Sequence, residues 1–198
     1  MIDVLAEPAP LTPAGERIVT AAAELFYAHG IRAIGVDTIA EAAGTTKKTL
    51  YDRFGSKDAL VALYLVRRAR RWQAFLVAEL DRHPAGPSRV LAVFDALQAW
   101  STGLDRGCAF INAYAEIGAS NHPGVPVIRA EKAWMRSLFT ELVVEAGIHA
   151  ADRVAGTVHL LYEGALVTST VGNDPHALTA ARDATDQLLS TARAATPT

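Results

Sequence analysis

The chain has 198 residues, 51% of them apolar, which is enough for one or two domains with packed cores. No apolar run approaches the ~18 residues of a membrane span, and the N-terminus lacks the basic start and unbroken apolar stretch of a secretion signal, so a cytoplasmic protein with no membrane partner is expected. A single cysteine, Cys108, excludes an internal disulfide framework and a multi-cysteine zinc site, and the net charge of −2 conceals an uneven distribution.

Residues 1–11 carry Pro8 and Pro10 without periodicity and are expected to form a flexible arm. Thr12 and Pro13 then read as the cap and first position of a helix. Its apolar stripe is Ile18, Ala21, Ala22, Leu25 and Phe26, ending at His29 before Gly30, and Ile31 and Ile34 complete a small core. Two short amphipathic segments follow, meeting at Gly44. The first begins after Gly35 and places Val36, Ile39, Ala40 and Ala43 on one side; the second places Leu50 and Phe54 on one side. Two helices joined by a short glycine-containing turn form a helix-turn-helix, whose second helix can enter a DNA major groove.

That second helix carries a surface suited to DNA. Thr45 or Thr46 caps its N-terminus, where free N–H groups and the helix dipole favour a phosphate. Lys47, Lys48 and Thr49 lie in the first turn, which usually meets base edges. Tyr51 and Lys57 are placed for phosphate oxygens, and Thr38 of the preceding helix joins this DNA-binding set. Between Gly44 and Arg71 stand eight basic residues (Lys47, Lys48, Arg53, Lys57, Arg67, Arg68, Arg70, Arg71) against Asp52 and Asp58, a local net of +6. Local basicity matters for phosphate contact. For Arg67–Arg71 a solvated helix face is an equally good reading.

Gly55 ends the second motif helix and Ser56 caps a fourth helix that can run from Lys57 to about Arg82. At a rise of about 1.5 Å per residue that is roughly 40 Å. Beyond the break at Pro84, Gly86 and Pro87, a fifth helix spans Ser88 to about Leu104 with Val90, Phe94 and Leu97. The sixth is apolar, Cys108–Ala119. The seventh, Pro126 to about Ala146, puts Trp134, Leu138 and Leu142 on one side. The eighth, Ala150–Thr170, has Val154, Val158, Leu161, Ala165 and Thr168, with Gly156 and Gly164 permitting close approach. The ninth begins at Pro175 after Asp174 and runs to about Ala195, with Leu178, Ala181, Leu188 and Ala192. No strand signal appears, so an all-α fold of about nine helices is expected.

The run 34–61 resembles the N-terminal signature of the TetR family of transcriptional regulators through Ile39-Ala40, Ala43-Gly44, Thr49-Leu50-Tyr51, Phe54 and Ser56-Lys57. It departs from the pattern at Gly35, where a Ser or Thr cap is usual. The resemblance implies a DNA-binding domain at 12–56 and a C-terminal helical bundle at 57–198 for ligand binding and dimerisation. It implies a homodimer joined through the last two helices, a palindromic DNA operator, release by a small-molecule effector, and most often repression. Periodicity alone fits an intramolecular bundle equally well.

Candidate ligand-lining residues are the aromatics Phe94, Trp100, Phe110, Tyr114, Trp134 and Tyr162, with Trp72 and Phe75 beside them, although aromatics at helical spacing are more often core. The four-apart pairs Asn112/Glu116 and His159/Glu163 either face a ligand, satisfy each other or make a dimer-interface contact, the last two readings being the commoner for such pairs. Cys108 reads as a core thiol rather than a redox sensor, and the scattered histidines form no metal site, so no cofactor is implied. Two rivals stand beside the ligand-responsive regulator. One is a regulator whose C-terminal domain only dimerises. The other is a helical enzyme using Glu116 or His159 as acid or base, though no nucleophile elbow, phosphate loop or metal motif accompanies them.

Overall fold

The computed structural model describes Leu5, 10–103 and 106–194. Among these residues there are nine α-helices and no strand: α1 Pro13–His29, α2 Val36–Ala42, α3 Lys47–Phe54, α4 Lys57–Leu80, α5 Pro87–Ser101, α6 Ala109–Ile117, α7 Gly124–Glu145, α8 Ala151–Thr170 and α9 Ala177–Ala194. None is long and apolar enough to cross a membrane. Most of the expected arm, the expected end of the fifth helix near Leu104 and that of the ninth near Ala195 lie outside the described residues. Leu5, within the arm segment, is buried, and its carbonyl accepts from Arg70 at 3.1 Å.

The backbone clusters into two compact units, 1–71 with 108–131 and 72–107 with 132–198, so the division falls inside α4 and inside α7. In the first unit α1, α2 and α3 pack on one another around Ile18, Phe26, Ile39 and Leu50, and the start of α4 adds Leu60, Val61 and Leu65. From α6, Phe110, Ala113 and Ile117 join the same cluster. Thr12 caps α1 by accepting from the Gly15 N–H, and Ser56 caps α4 by accepting from the Ala59 N–H.

In the second unit α5 is buried over most of its circumference, from Val90 through Phe94 and at Ala96 and Leu97, as befits a central helix. Helix α9 packs on both α8 and α5, and Arg182 of α9 pairs with Asp95 of α5 at 2.8 Å. Phe139 is fully buried beside Phe94, Tyr162 and His159, with ring centroids at 6.3, 5.5 and 6.1 Å. Trp72, Phe75 and Trp100 form a second ring cluster, and the Trp72 indole N–H donates to the Met135 sulfur at 3.2 Å.

Several helix details differ from the sequence reading. The buried stripe of α7 runs through Met135, Phe139 and Leu142–Val143, whereas Trp134 and Leu138 are only half-buried. Helix α7 also begins two residues earlier, because His122 Nδ1 accepts from the Gly124 N–H and Pro126 falls in the first turn, where no donor is needed. On α6, Cys108 occupies the cap and Gly118 closes the helix, so it is shorter than expected. Helix α9 starts at Ala177 rather than Pro175, since the Asp174 side chain captures the His176 N–H in a local turn. On α8 and α9, Tyr162, Leu166, Thr185 and Leu189 are buried, while Leu161, Leu178 and Leu188 are half-buried and Thr168 is exposed. The opposite side of α8 leaves Leu160, Val167 and Val171 open at 72%, 44% and 83% exposure, with Gly164 among them.

Candidate nucleic-acid interface

The turn between α2 and α3 is built by the backbone. Gly44 has φ +59°, the Gly44 N–H donates to the Glu41 carbonyl at 3.0 Å, and the Thr45 N–H donates to the Ala40 carbonyl at 2.9 Å. This crossed pair is the Schellman closure, which needs a left-handed residue and therefore favours glycine. Thr46 then caps α3: its hydroxyl accepts from the Thr49 N–H at 3.1 Å and lies 3.0 Å from the Thr49 hydroxyl. Leu50, completely buried, fixes α3 against the core. Arg17 of α1 holds the end of α2 by donating to the Ala43 carbonyl at 3.2 Å. Gly35 caps α2 without any side-chain bond.

With Leu50 pointing inward, Thr46, Lys47, Lys48 and Tyr51 are exposed, Thr45 and Thr49 are half-buried, and Thr38 is exposed on α2. Lys47 pairs with Asp37 at 3.0 Å and Lys48 with Asp52 at 2.6 Å, both in solvent. Such exposed pairs contribute little in solvent, so either ammonium can leave its carboxylate for a stronger acceptor. The Asp37 hydrogen bond and charge hold Lys47 above its ordinary value. Lys57 differs. Its ammonium donates to the Ile31 carbonyl at 2.6 Å and sits 5.9 Å from the Phe26 ring centroid, and burial pulls its pKa down. Two of its N–H donors remain for other acceptors.

The arginine run is largely committed within the first unit. Arg67 makes a two-pronged bond to Glu16 at 2.6 and 2.8 Å, Arg68 lies 4.8 Å from the Tyr27 ring centroid, Arg70 binds the Leu5 carbonyl, and Arg71 is exposed. The Arg67 hydrogen bond holds the Glu16 carboxyl below its ordinary value. Between α1 and α4 lies an open groove of about 380 Å³ edged by Tyr27, Tyr64, Arg67, Arg68 and Arg71.

The ligand candidates separate. Phe94, Trp100, Trp134, His159, Tyr162 and Glu163 belong to the second unit, and Phe110, Asn112, Tyr114 and Glu116 to the first. Phe94, His159 and Tyr162 gather around Phe139. Trp134 is half-buried on α7, Phe110 is core, Asn112 is half-buried and Tyr114 is exposed. His159 and Lys132 flank Glu163 at 3.4 and 2.9 Å. Burial works to raise the Glu163 carboxyl, yet the neighbouring His159 imidazole and the Lys132 charge outweigh it and hold the carboxyl below its ordinary 4.5.

A folded-state pKa below the unfolded one stabilises the fold above pH 4.5 and loses that contribution as pH falls through the folded value. Wild type is therefore expected to outlast Glu163→Gln in denaturant at neutral pH, with the gap closing below about pH 4.5. A gap unchanged at pH 3 would refute the ion-pair account.

Glu116 is already occupied by backbone. Its two oxygens accept from the Ile31 and Arg32 N–H groups at 3.0 and 2.6 Å. No sequence signal links positions 85 apart; only Gly30, whose added Cβ would lie 3.0 Å from Glu116 Oε1, hints at a close approach.

An all-helical chain with a glycine-closed helix-turn-helix and an exposed, cation-bearing second helix is a helix-turn-helix DNA-binding protein. The sequence profile of the bacterial regulatory proteins, tetR family, matches residues 18–64. A solved structure assigned to the TetR transcriptional regulators, from Streptomyces avermitilis, is 30% identical with a TM-score of 0.71, covering 89% of this chain and 99% of that one. A TetR-family transcriptional regulator from Streptomyces coelicolor is 28% identical with a TM-score of 0.83, covering 91% and 96%. An uncharacterised HTH-type transcriptional regulator of Mycobacterium tuberculosis is 43% identical over 58 residues, a match spanning 29% of this chain and 29% of that relative's length. The chain belongs to the TetR family of transcriptional regulators. It is a DNA-binding regulator and not an enzyme, which removes the helical-enzyme reading of Glu116 and His159.

Proposed function

We propose that the chain is a cytoplasmic, homodimeric repressor that binds a palindromic operator and is released by a small molecule. The carrying observation is the N-terminal turn of α3, where Lys47, Lys48 and Tyr51 stand exposed while the buried Leu50 anchors the helix. In this reading 12–56 is the DNA-binding domain and 57–198 the ligand-binding and dimerisation domain. Thr46 offers a capped helix end to a phosphate, and Thr38, Thr45, Tyr51 and Lys57 contact the backbone. Lys47, Lys48 and Thr49 meet base edges. Two-fold symmetry would match two half-sites about one DNA turn apart. Release requires the effector to bind the DNA-incompetent state more tightly than the competent one.

The experiment is binding to the DNA flanking its own coding region, or to random-sequence duplexes, across a salt series. Tight binding to a short palindrome that weakens steeply with salt supports the reading; no preferred sequence refutes it. Lys48→Ala is expected to relax the preference at one base position by about 1–3 kcal/mol, whereas Tyr51→Phe weakens all duplexes alike. Equal loss on every sequence for Lys48→Ala removes its base-reading role.

One observation favours the rival in which the C-terminal domain only dimerises. Phe94, Phe139 and Tyr162 already pack on one another, and Glu163 is already paired. An effector proposed for this cluster must separate those rings.

A further inference from the structure

The segment joining α1 to α2 is gripped on both its backbone faces. Gly30 leaves α1 at φ +92°, and the next two amides, of Ile31 and Arg32, both donate to the Glu116 carboxylate on α6. From the other side the Lys57 ammonium donates to the Ile31 carbonyl. Both polar backbone groups of Ile31 are thereby held by charged side chains, and its own side chain is buried in the core. Hydrogen bonds to ionised partners are the stronger class. The contact is also close: the room for a water between Phe26, Tyr64, Ala113 and Glu116 is about 10 Å³, no more than a single water requires.

This grip lies immediately upstream of a helix that does not fix its own start. Helix α2 has glycine at its cap and no side-chain bond there. The segment before it therefore bears on where α2 begins, while Ile39 and Ala40 seat α2 on the core and the Gly44 closure and Leu50 join it to α3. We propose that Glu116 is a positioning residue for DNA reading, an α6 carboxylate that sets the angle at which the chain enters the helix-turn-helix. It touches no DNA, and the proposal rests on the reading role given to α3 above.

The full-length wild type is compared with Glu116→Gln and Glu116→Ala. The probes are a duplex selected by the wild type from random sequences and a scrambled duplex of the same length. Glutamine keeps one acceptor oxygen and the side-chain shape; alanine removes both bonds. Affinity for the selected duplex is expected to fall about 3–10-fold with glutamine and about 10–100-fold with alanine. Affinity for the scrambled duplex should stay within about two-fold, since phosphate contacts are retained. Amide exchange at Ile31 and Arg32 should accelerate in the same order.

A purely structural carboxylate would lower the melting temperature and leave the ratio of selected to scrambled binding untouched. That result, or wild-type amide protection in the variants, overturns the proposal. If the alanine variant does not fold, the glutamine variant decides by the same two readouts. A wild type that prefers no sequence refutes the DNA-reading role itself, before any variant is made, and leaves Glu116 nothing to position.

Discussion

Replacing Phe139 by alanine is expected to lower the stability of the folded chain by about 3–5 kcal/mol. The ring is fully buried at the centre of the second unit, within 5.5–6.3 Å of Tyr162, His159 and Phe94 by centroid. Removing it forfeits both its transfer from water and the contacts of the rings around it, because neighbours on two other helices, α5 and α8, cannot all close on the vacated space. Denaturant unfolding with an unchanged slope measures the loss. A loss under about 1 kcal/mol would mean that the surrounding rings relax into the gap, so that the cluster is not a rigid core. In that outcome the effector reading gains, since a site that tolerates an absent ring also admits a foreign one.

The second large effect concerns association. Leu160→Asp is expected to convert the proposed dimer to monomer, raising its dissociation constant by roughly 30-fold or more. Leu160 and Val167 of α8 and Val171 at its C-cap share an exposed side among the described residues, while Val154, Val158 and Tyr162 fill the buried one. An aspartate on an exposed position costs a lone subunit little, typically within about 0.5 kcal/mol. At a two-fold interface it would bury like charges twice over. Sedimentation across a concentration series, with helical content checked by circular dichroism, separates the two. A variant that keeps its helices and its parent dissociation constant removes α8 from the dimer contact, and palindrome recognition would then need another pairing surface.

What the sequence made legible was local. Thr12 with Pro13, Gly44, Thr46 and Leu50 each sit within a few residues of the backbone they organise, and each does in the structure what its type and spacing suggest. Distant pairings were not legible. Arg67 meets Glu16 across 51 positions, and Glu116 meets Ile31 across 85, so both read as ordinary polar residues until the helices are placed. In α7 the buried stripe lies one position from the one periodicity suggests, because Trp134 and Leu138 make as good a stripe as Met135 and Phe139. Periodicity finds a helix, but two adjacent stripes differ by only 100°, and tertiary neighbours choose between them. The same limit applies to the ligand candidates. Aromatic spacing is identical whether rings line a void or fill it.

The first compact unit takes its chain from two separate stretches, 1–71 and 108–131. A ribosome makes those stretches with 36 residues of the other unit between them. At about 5–20 residues per second, the helix-turn-helix waits on the order of several seconds after its own synthesis before Glu116 is made. During that interval the Ile31 and Arg32 amides lack the Glu116 carboxylate that accepts from them, and the core around Phe26 and Tyr64 lacks Phe110, Ala113 and Ile117. Premature termination before residue 108 is therefore expected to yield a loosely packed chaperone client instead of a small constitutive DNA binder.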